Sequence, residues 1–110
     1  MQYLKVLLTD EVKEGEKKRI TLGNKVLLLT NVQGKYHAID DRCPHNGGSL
    51  YDGVLNGDII KCPKHGTMFD VKNGKVVEKG KILFIRLKVS DTRAYPVKVE
   101  GSDILIGIDL

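Results

Sequence analysis

Apolar runs of strand length, separated by turn residues, recur along this chain and give it a β pattern throughout. Residues 3–8, 26–32 and 82–89 are rich in β-branched and aliphatic side chains at strand length. Lys35-Tyr36-His37-Ala38-Ile39-Asp40 follows a turn at Gln33-Gly34, so residues 26–40 read as a hairpin. Residues 58–61 and 67–71 form two further short strands. Asn73-Gly74 is a two-residue hairpin signal between Phe69-Asp70-Val71 and Lys75-Val76-Val77. Residues 94–100 and 103–109 read as a last hairpin around Gly101-Ser102. No stretch sustains a 3.6-residue period, so little or no helix is expected. The pattern predicts an all-β chain, an antiparallel β-sandwich or barrel-like base domain. Residues from about 41 to 71 are expected to form a subdomain of two loops inserted into a base built from both ends of the chain.

At 110 residues the chain is long enough for one domain, 1–110, with its own core. No apolar run approaches the length of a membrane span, and the start lacks the pattern of a secretory leader. The expectation is a cytoplasmic protein without membrane insertion. The net charge of +4, with 29% charged residues, is modest and mixed in sign. Lys17-Lys18-Arg19 follows Glu14 and Glu16 and has no aromatic surface beside it. It reads as a solvated strand or turn edge, and no nucleic-acid partner is expected.

The candidate chemistry sits in two short motifs, Cys43-Pro44-His45 and Cys62-Pro63-Lys64-His65. They hold both cysteines of the chain and two of its three histidines, with Asn46 to Lys61 between them. A chain so poor in these residues that pairs them this way points to a metal centre. Iron–sulfur and rubredoxin-like sites built on four thiolates are excluded by the two cysteines. A disulfide between Cys43 and Cys62 would leave the paired histidines unexplained. A zinc site with two cysteines and two histidines is the serious rival, although zinc modules usually pair Cys with Cys and His with His.

Extended over their neighbours, Cys43-Pro44-His45-Asn46-Gly47-Gly48-Ser49-Leu50 and Cys62-Pro63-Lys64-His65-Gly66-Thr67-Met68-Phe69-Asp70 resemble the two ligand loops of the Rieske family. The resemblance is dense from Tyr36 to Val77 and returns from Tyr95 to Glu100. It implies one [2Fe–2S] cluster, with Cys43 and Cys62 on one iron and His45 and His65 on the other. It implies that Gly47, Gly48 and Gly66 bring backbone N–H groups near the cluster sulfurs, while Gly53 and Gly57 read as ordinary turn glycines. Gly48 and Lys64 occupy the positions of an extra disulfide found in high-potential members. Thr67 keeps a hydroxyl that such members use toward the cluster, but Phe69 lacks one. Glu78-Lys79-Gly80-Lys81-Ile82-Leu83 has no proline where many relatives cover the cluster with one. The resemblance therefore implies the low-potential, oxygenase-ferredoxin type.

The remaining candidates resolve simply. His37 reads as a surface or satisfied strand histidine, and Asp40-Asp41-Arg42 as a turn stabilised by local charge. Tyr3, Tyr36, Tyr51 and Tyr95 read as core or interface residues. With His45 and His65 committed, His37 alone cannot build the mononuclear iron site of an oxygenase, and no G-x-G-x-x-G unit for a flavin or nicotinamide exists. The expected function is a one-electron carrier between a reductase and an oxygenase or other acceptor, and not an enzyme by itself. A zinc-stabilised binding module and an iron–sulfur sensor are the alternatives.

Overall fold

The structure, a computed structural model, describes residues 1–44, 47–64, 66–78 and 90–109. His45, His65, the expected strand at 82–89 and the segment around Gly80 lie outside the described residues.

The architecture follows from three consecutive leucines, Leu27, Leu28 and Leu29, all fully buried. Side chains of a strand alternate between faces, so such a run needs an apolar cluster on both sides. Leu27 and Leu29 enter one cluster with Val12, Ile104, Ile106 and Ile108. Leu28 enters another with Leu50, Ile60, Phe69 and Val71. Ala38 and Ile39 divide between the same two clusters. Each buried leucine contributes roughly 2 kcal/mol of apolar transfer.

The described strands are β1 (Gln2–Leu8), β2 (Lys17–Leu22), β3 (Lys25–Val32), β4 (Lys35–Asp40), β5 (Val54–Asn56), β6 (Ile59–Lys61), β7 (Met68–Asp70), β8 (Val76–Glu78), β9 (Ala94–Tyr95), β10 (Val97–Glu100) and β11 (Asp103–Ile108). They form three antiparallel sheets in the orders β1-β11-β10, β2-β3-β4-β9 and β5-β6-β7-β8. The middle sheet carries the leucine run and separates the two clusters. Two one-turn 3₁₀ segments, Thr9–Glu11 and Leu50–Asp52, are the described helical pieces. The all-β expectation therefore holds.

The β3–β4 hairpin forms as expected, with Val32 opposite Lys35. Gln33 and Gly34 both take positive φ, 54° and 86°. That is the primed turn whose twist matches the flanking strands. Asn31 holds it, accepting from the Gly34 N–H at 2.8 Å and donating to the Val12 carbonyl at 2.9 Å.

Two expectations are corrected. Asn73-Gly74 does not join its strands as a two-residue turn. Asp70 Oδ1 accepts from Lys72 N at 2.9 Å and Gly74 N donates to the Asp70 carbonyl at 2.8 Å, so the turn begins three residues earlier. This lets Val71 turn into the core, where it is 1% exposed. Residues 94–100 are likewise not one strand. Pro96 has no N–H to continue a ladder. Ala94 and Tyr95 pair with β4, while Val97 onward pairs with β11 in another sheet.

Tyr95 fastens this crossing. Its ring is buried in the first cluster and its hydroxyl donates to Asp40 Oδ1 at 2.6 Å. Burial, then that hydrogen bond, pushes the phenol up from 10.0 to about 12. Because the folded pKa lies above the unfolded one, this contribution is complete below about pH 10 and is lost as pH rises through about 12. Tyr95→Phe should therefore flatten the fall of the unfolding midpoint in that window, followed by circular dichroism. An equally steep fall in the variant would count against this role.

Candidate metal centre

The two cysteine segments fold as copies of one loop. Arg42 and Ser49 form a bridge at the base of the first, and Lys61 pairs with Met68 at the base of the second. Inside each base pair the same hydrogen bonds recur. Cys43 N donates to the Gly48 carbonyl at 2.7 Å, and Cys62 N to the Thr67 carbonyl at 2.8 Å. Gly47 N donates to the Cys43 carbonyl at 2.8 Å, and Gly66 N to the Cys62 carbonyl at 3.2 Å. Gly47 and Gly66 have φ of 76° and 75°, a left-handed conformation that glycine adopts without penalty. The similarity is not visible as one repeated string, because His45 lies two residues after its cysteine and His65 three.

The loop glycines have definite backbone roles within their own loops. The N–H groups of Gly47 and Gly66 close their own loops by donating to cysteine carbonyls. Gly48 is buried and supplies the carbonyl that accepts from Cys43. Thr67 is fully buried and does the same for Cys62. Lys64 is exposed at the second tip with Pro63, as Pro44 is at the first. Phe69 is fully buried on β7 opposite Ile60.

Cys43 and Cys62 are 0% and 1% exposed, belong to the same apolar cluster and lie in no disulfide. The structure thus brings both thiols of the expected ligand set to one cluster, carried by loops whose tips face solvent. The chemistry of that donor set fits an iron–sulfur centre: soft anionic sulfur suits iron, and the apolar surroundings limit access of water.

The first loop is held by a polar network that the sequence reading missed. Asp41 is 4% exposed. Its carboxylate accepts from Ser49 Oγ at 2.6 Å and from Tyr51 N at 2.9 Å, and lies 3.4 Å from Arg19 Nε. Arg19 also donates to Ser49 Oγ at 2.6 Å and reaches Asp52 at 3.4 Å. The turn at Asp40-Asp41-Arg42 is therefore not stabilised by adjacent charges. The compensating cation is Arg19 on β2, so Lys17-Lys18-Arg19 is more than a solvated edge. Its Lys17 and Arg19 both lie over the Tyr51 ring, at 4.5 and 5.0 Å from its centre. A buried carboxylate needs such partners.

Gly53 is not the ordinary turn glycine expected. A Cβ there would lie 1.9 Å from the Lys61 carbonyl oxygen, at the base of the second loop. Gly57, at φ 63°, is a turn glycine with nothing near that position. His37 sits half-buried on β4, where burial lowers its pKa, among the charges of Asp70, Lys72, Lys35 and Asp58.

The Rieske [2Fe-2S] domain family matches residues 2–82, and the chain belongs to that family. The 3-phenylpropionate/cinnamic acid dioxygenase ferredoxin subunit of Shigella boydii serotype 4 (strain Sb227) is 40% identical over 100 residues, covering 89% of this chain and 86% of the relative. The ferredoxin of carbazole 1,9a-dioxygenase from Nocardioides aromaticivorans IC177 superposes with a TM-score of 0.85 at 25% identity, covering 99% of this chain and 100% of that one. A second match is a ferredoxin-length chain in a complex of reduced oxygenase and oxidised ferredoxin of carbazole 1,9a-dioxygenase. Its TM-score is 0.81 at 27% identity, covering 94% of this chain and 91% of that one. The chain is thus a Rieske-type ferredoxin, an electron carrier with one [2Fe–2S] cluster. These ferredoxin relatives give the zinc reading no support. Among the described residues no helix is long and apolar enough to cross a membrane.

Proposed function

We propose that this chain is the cytoplasmic ferredoxin component of an oxygenase system, taking single electrons from a reductase and passing them to a terminal oxygenase. The observation that carries this reading is the pair of twin loops with buried Cys43 and Cys62 inside the span matched by the family. Cys43, His45, Cys62 and His65 would hold the cluster, within an insert of about 41–71 in a single domain 1–110. Bound there, the cluster stores and releases one electron.

The chain's own residues set the conditions. The thiolates of Cys43 and Cys62 favour ferric iron on their side, while neutral His45 and His65 would leave the other iron as the electron acceptor. Leu28, Leu50, Ile60 and Phe69 keep water from the buried side. Phe69 offers no hydroxyl to a cluster sulfur, which supports the low-potential type. Phe69→Tyr should raise the reduction potential by something on the order of tens of millivolts, read by voltammetry. An unchanged potential with the new hydroxyl bonded to sulfur in a structure of the variant would refute this role. The function itself is tested by chemical analysis of protein purified from iron-replete cells. Two irons and two labile sulfides per chain are expected, and stoichiometric zinc without sulfide would overturn the reading.

A further inference from the structure

Resting on that electron-carrier reading, the charge pattern around the twin loops identifies the kind of surface the carrier meets. Arg42 immediately precedes Cys43, and Lys61 immediately precedes Cys62. Each lies along its own loop. Positions where a Cβ would stand on Gly47 and Gly66 are 3.4 Å from Arg42 Nη2 and 3.3 Å from Lys61 Cε. The two long side chains are thus placed at corresponding flanks of the pair. Lys64 adds a third exposed cation at the second tip.

Among the described residues none of these three has an ion-pair partner. Lys5, Arg19 and Lys72 all do, with Asp103, Asp41 and Asp58 respectively. Two carboxylates, Asp52 and Glu78, line the open groove beside Lys61 and Lys64. Asp52 is already engaged by Arg19. Among the described residues three cations thus stand against one carboxylate outside an ion pair, Glu78, and this face keeps a net positive charge. The same groove presents Pro63, Met68 and Val54, a valine 65% exposed on the edge strand β5. An apolar contact ringed by charge of one sign is the pattern of an electrostatically steered interface.

We infer that Arg42, Lys61 and Lys64, with Val54 at their side, form the docking face for a redox protein that presents carboxylates around an apolar contact. One electron crosses this face from the reduced carrier to the oxidised partner, and no atom or proton need move with it. Close approach at the exposed loop tips shortens the electron's path. Attraction between the three cations and the partner's carboxylates raises the encounter rate, and salt weakens it.

The test uses the cluster-loaded protein and a surface of known chemistry in place of the partner. Voltammetry is run at low salt on gold coated with a carboxylate-terminated monolayer and on gold coated with an ammonium-terminated one. A quartz microbalance reads the adsorbed mass on each. The native protein should adsorb and exchange electrons on the carboxylate surface about tenfold or more faster than on the ammonium surface, a gap that closes at high salt. Arg42→Glu/Lys61→Glu/Lys64→Glu should reverse that preference. Lys13→Glu/Lys35→Glu/Lys98→Glu changes net charge equally at exposed positions elsewhere on the fold and should keep it. No preference in the native protein, or an equal loss in both variants, would overturn the inference while leaving the carrier function intact. Absence of the iron–sulfur absorption would instead strike at the function itself.

Discussion

Cys62→Ser removes the cluster, with at least ~10-fold less bound iron than the native protein, and Cys43→Ser does the same. The expectation rests on both the chemistry and the burial of these positions. A serine hydroxyl stays protonated near neutral pH and supplies no soft anionic donor to iron. Cys43 and Cys62 pack in an apolar cluster with Leu28, Ile39 and Phe69, so each exchange also replaces a weakly polar sulfur by a hydroxyl among apolar side chains. Loss of the cluster removes a further stabilisation, because a group that binds only the folded chain adds its binding energy to folding. Iron analysis and the visible spectrum read the first effect, and the thermal midpoint by circular dichroism reads the second. Native iron content in either variant would contradict the assignment of that thiol.

The second large effect is expected at a glycine that touches no metal. Gly53→Ala would place a methyl group 1.9 Å from the Lys61 carbonyl oxygen and 3.1 Å from that of Leu50. Both are backbone atoms, so neither can turn aside as a side-chain end could. β5 must move away from β6 next to Cys62, or the residue before that thiol must shift. A destabilisation of about 3 kcal/mol or more follows, since overpacking of this kind has no local relief. For a domain of this size that corresponds to a fall of roughly 10 °C or more in the thermal midpoint. Gly57→Ala is the control. Its added methyl meets nothing within 4 Å, and only the positive φ of 63° resists, for roughly 1 kcal/mol. Equal midpoints for the two variants would show that close approach to Lys61 does not matter.

These two glycines show what the sequence could and could not tell. Both stand between the ligand loops and look alike as letters. Gly57 carries a positive φ that a turn signal anticipates. Gly53 has φ −85°, open to any residue, and its constraint comes from a carbonyl on a neighbouring strand. Such a contact leaves no local pattern. Arg19 and Asp41 were hidden for the same reason, since they meet only after β2 and the first loop are placed side by side. The thiols of Cys43 and Cys62 were legible because the chain has no others, and mixed Cys–His pairing admits few chemistries. The β3–β4 hairpin was legible because Gln33-Gly34 interrupts two strong apolar runs. The break at Pro96 was written in the sequence as a missing N–H, but alternation on either side concealed it.

The cluster held here would have two irons with different ligands, sulfur from Cys43 and Cys62, and nitrogen from His45 and His65. Mössbauer spectroscopy of oxidised protein enriched in the resonant iron isotope tests it most directly. Two distinct iron sites in equal amounts are expected, and on reduction the added electron should reside on the one with the spectrum of nitrogen ligation. A single kind of iron site in the oxidised protein, or no iron signal from fully loaded preparations, would contradict the account.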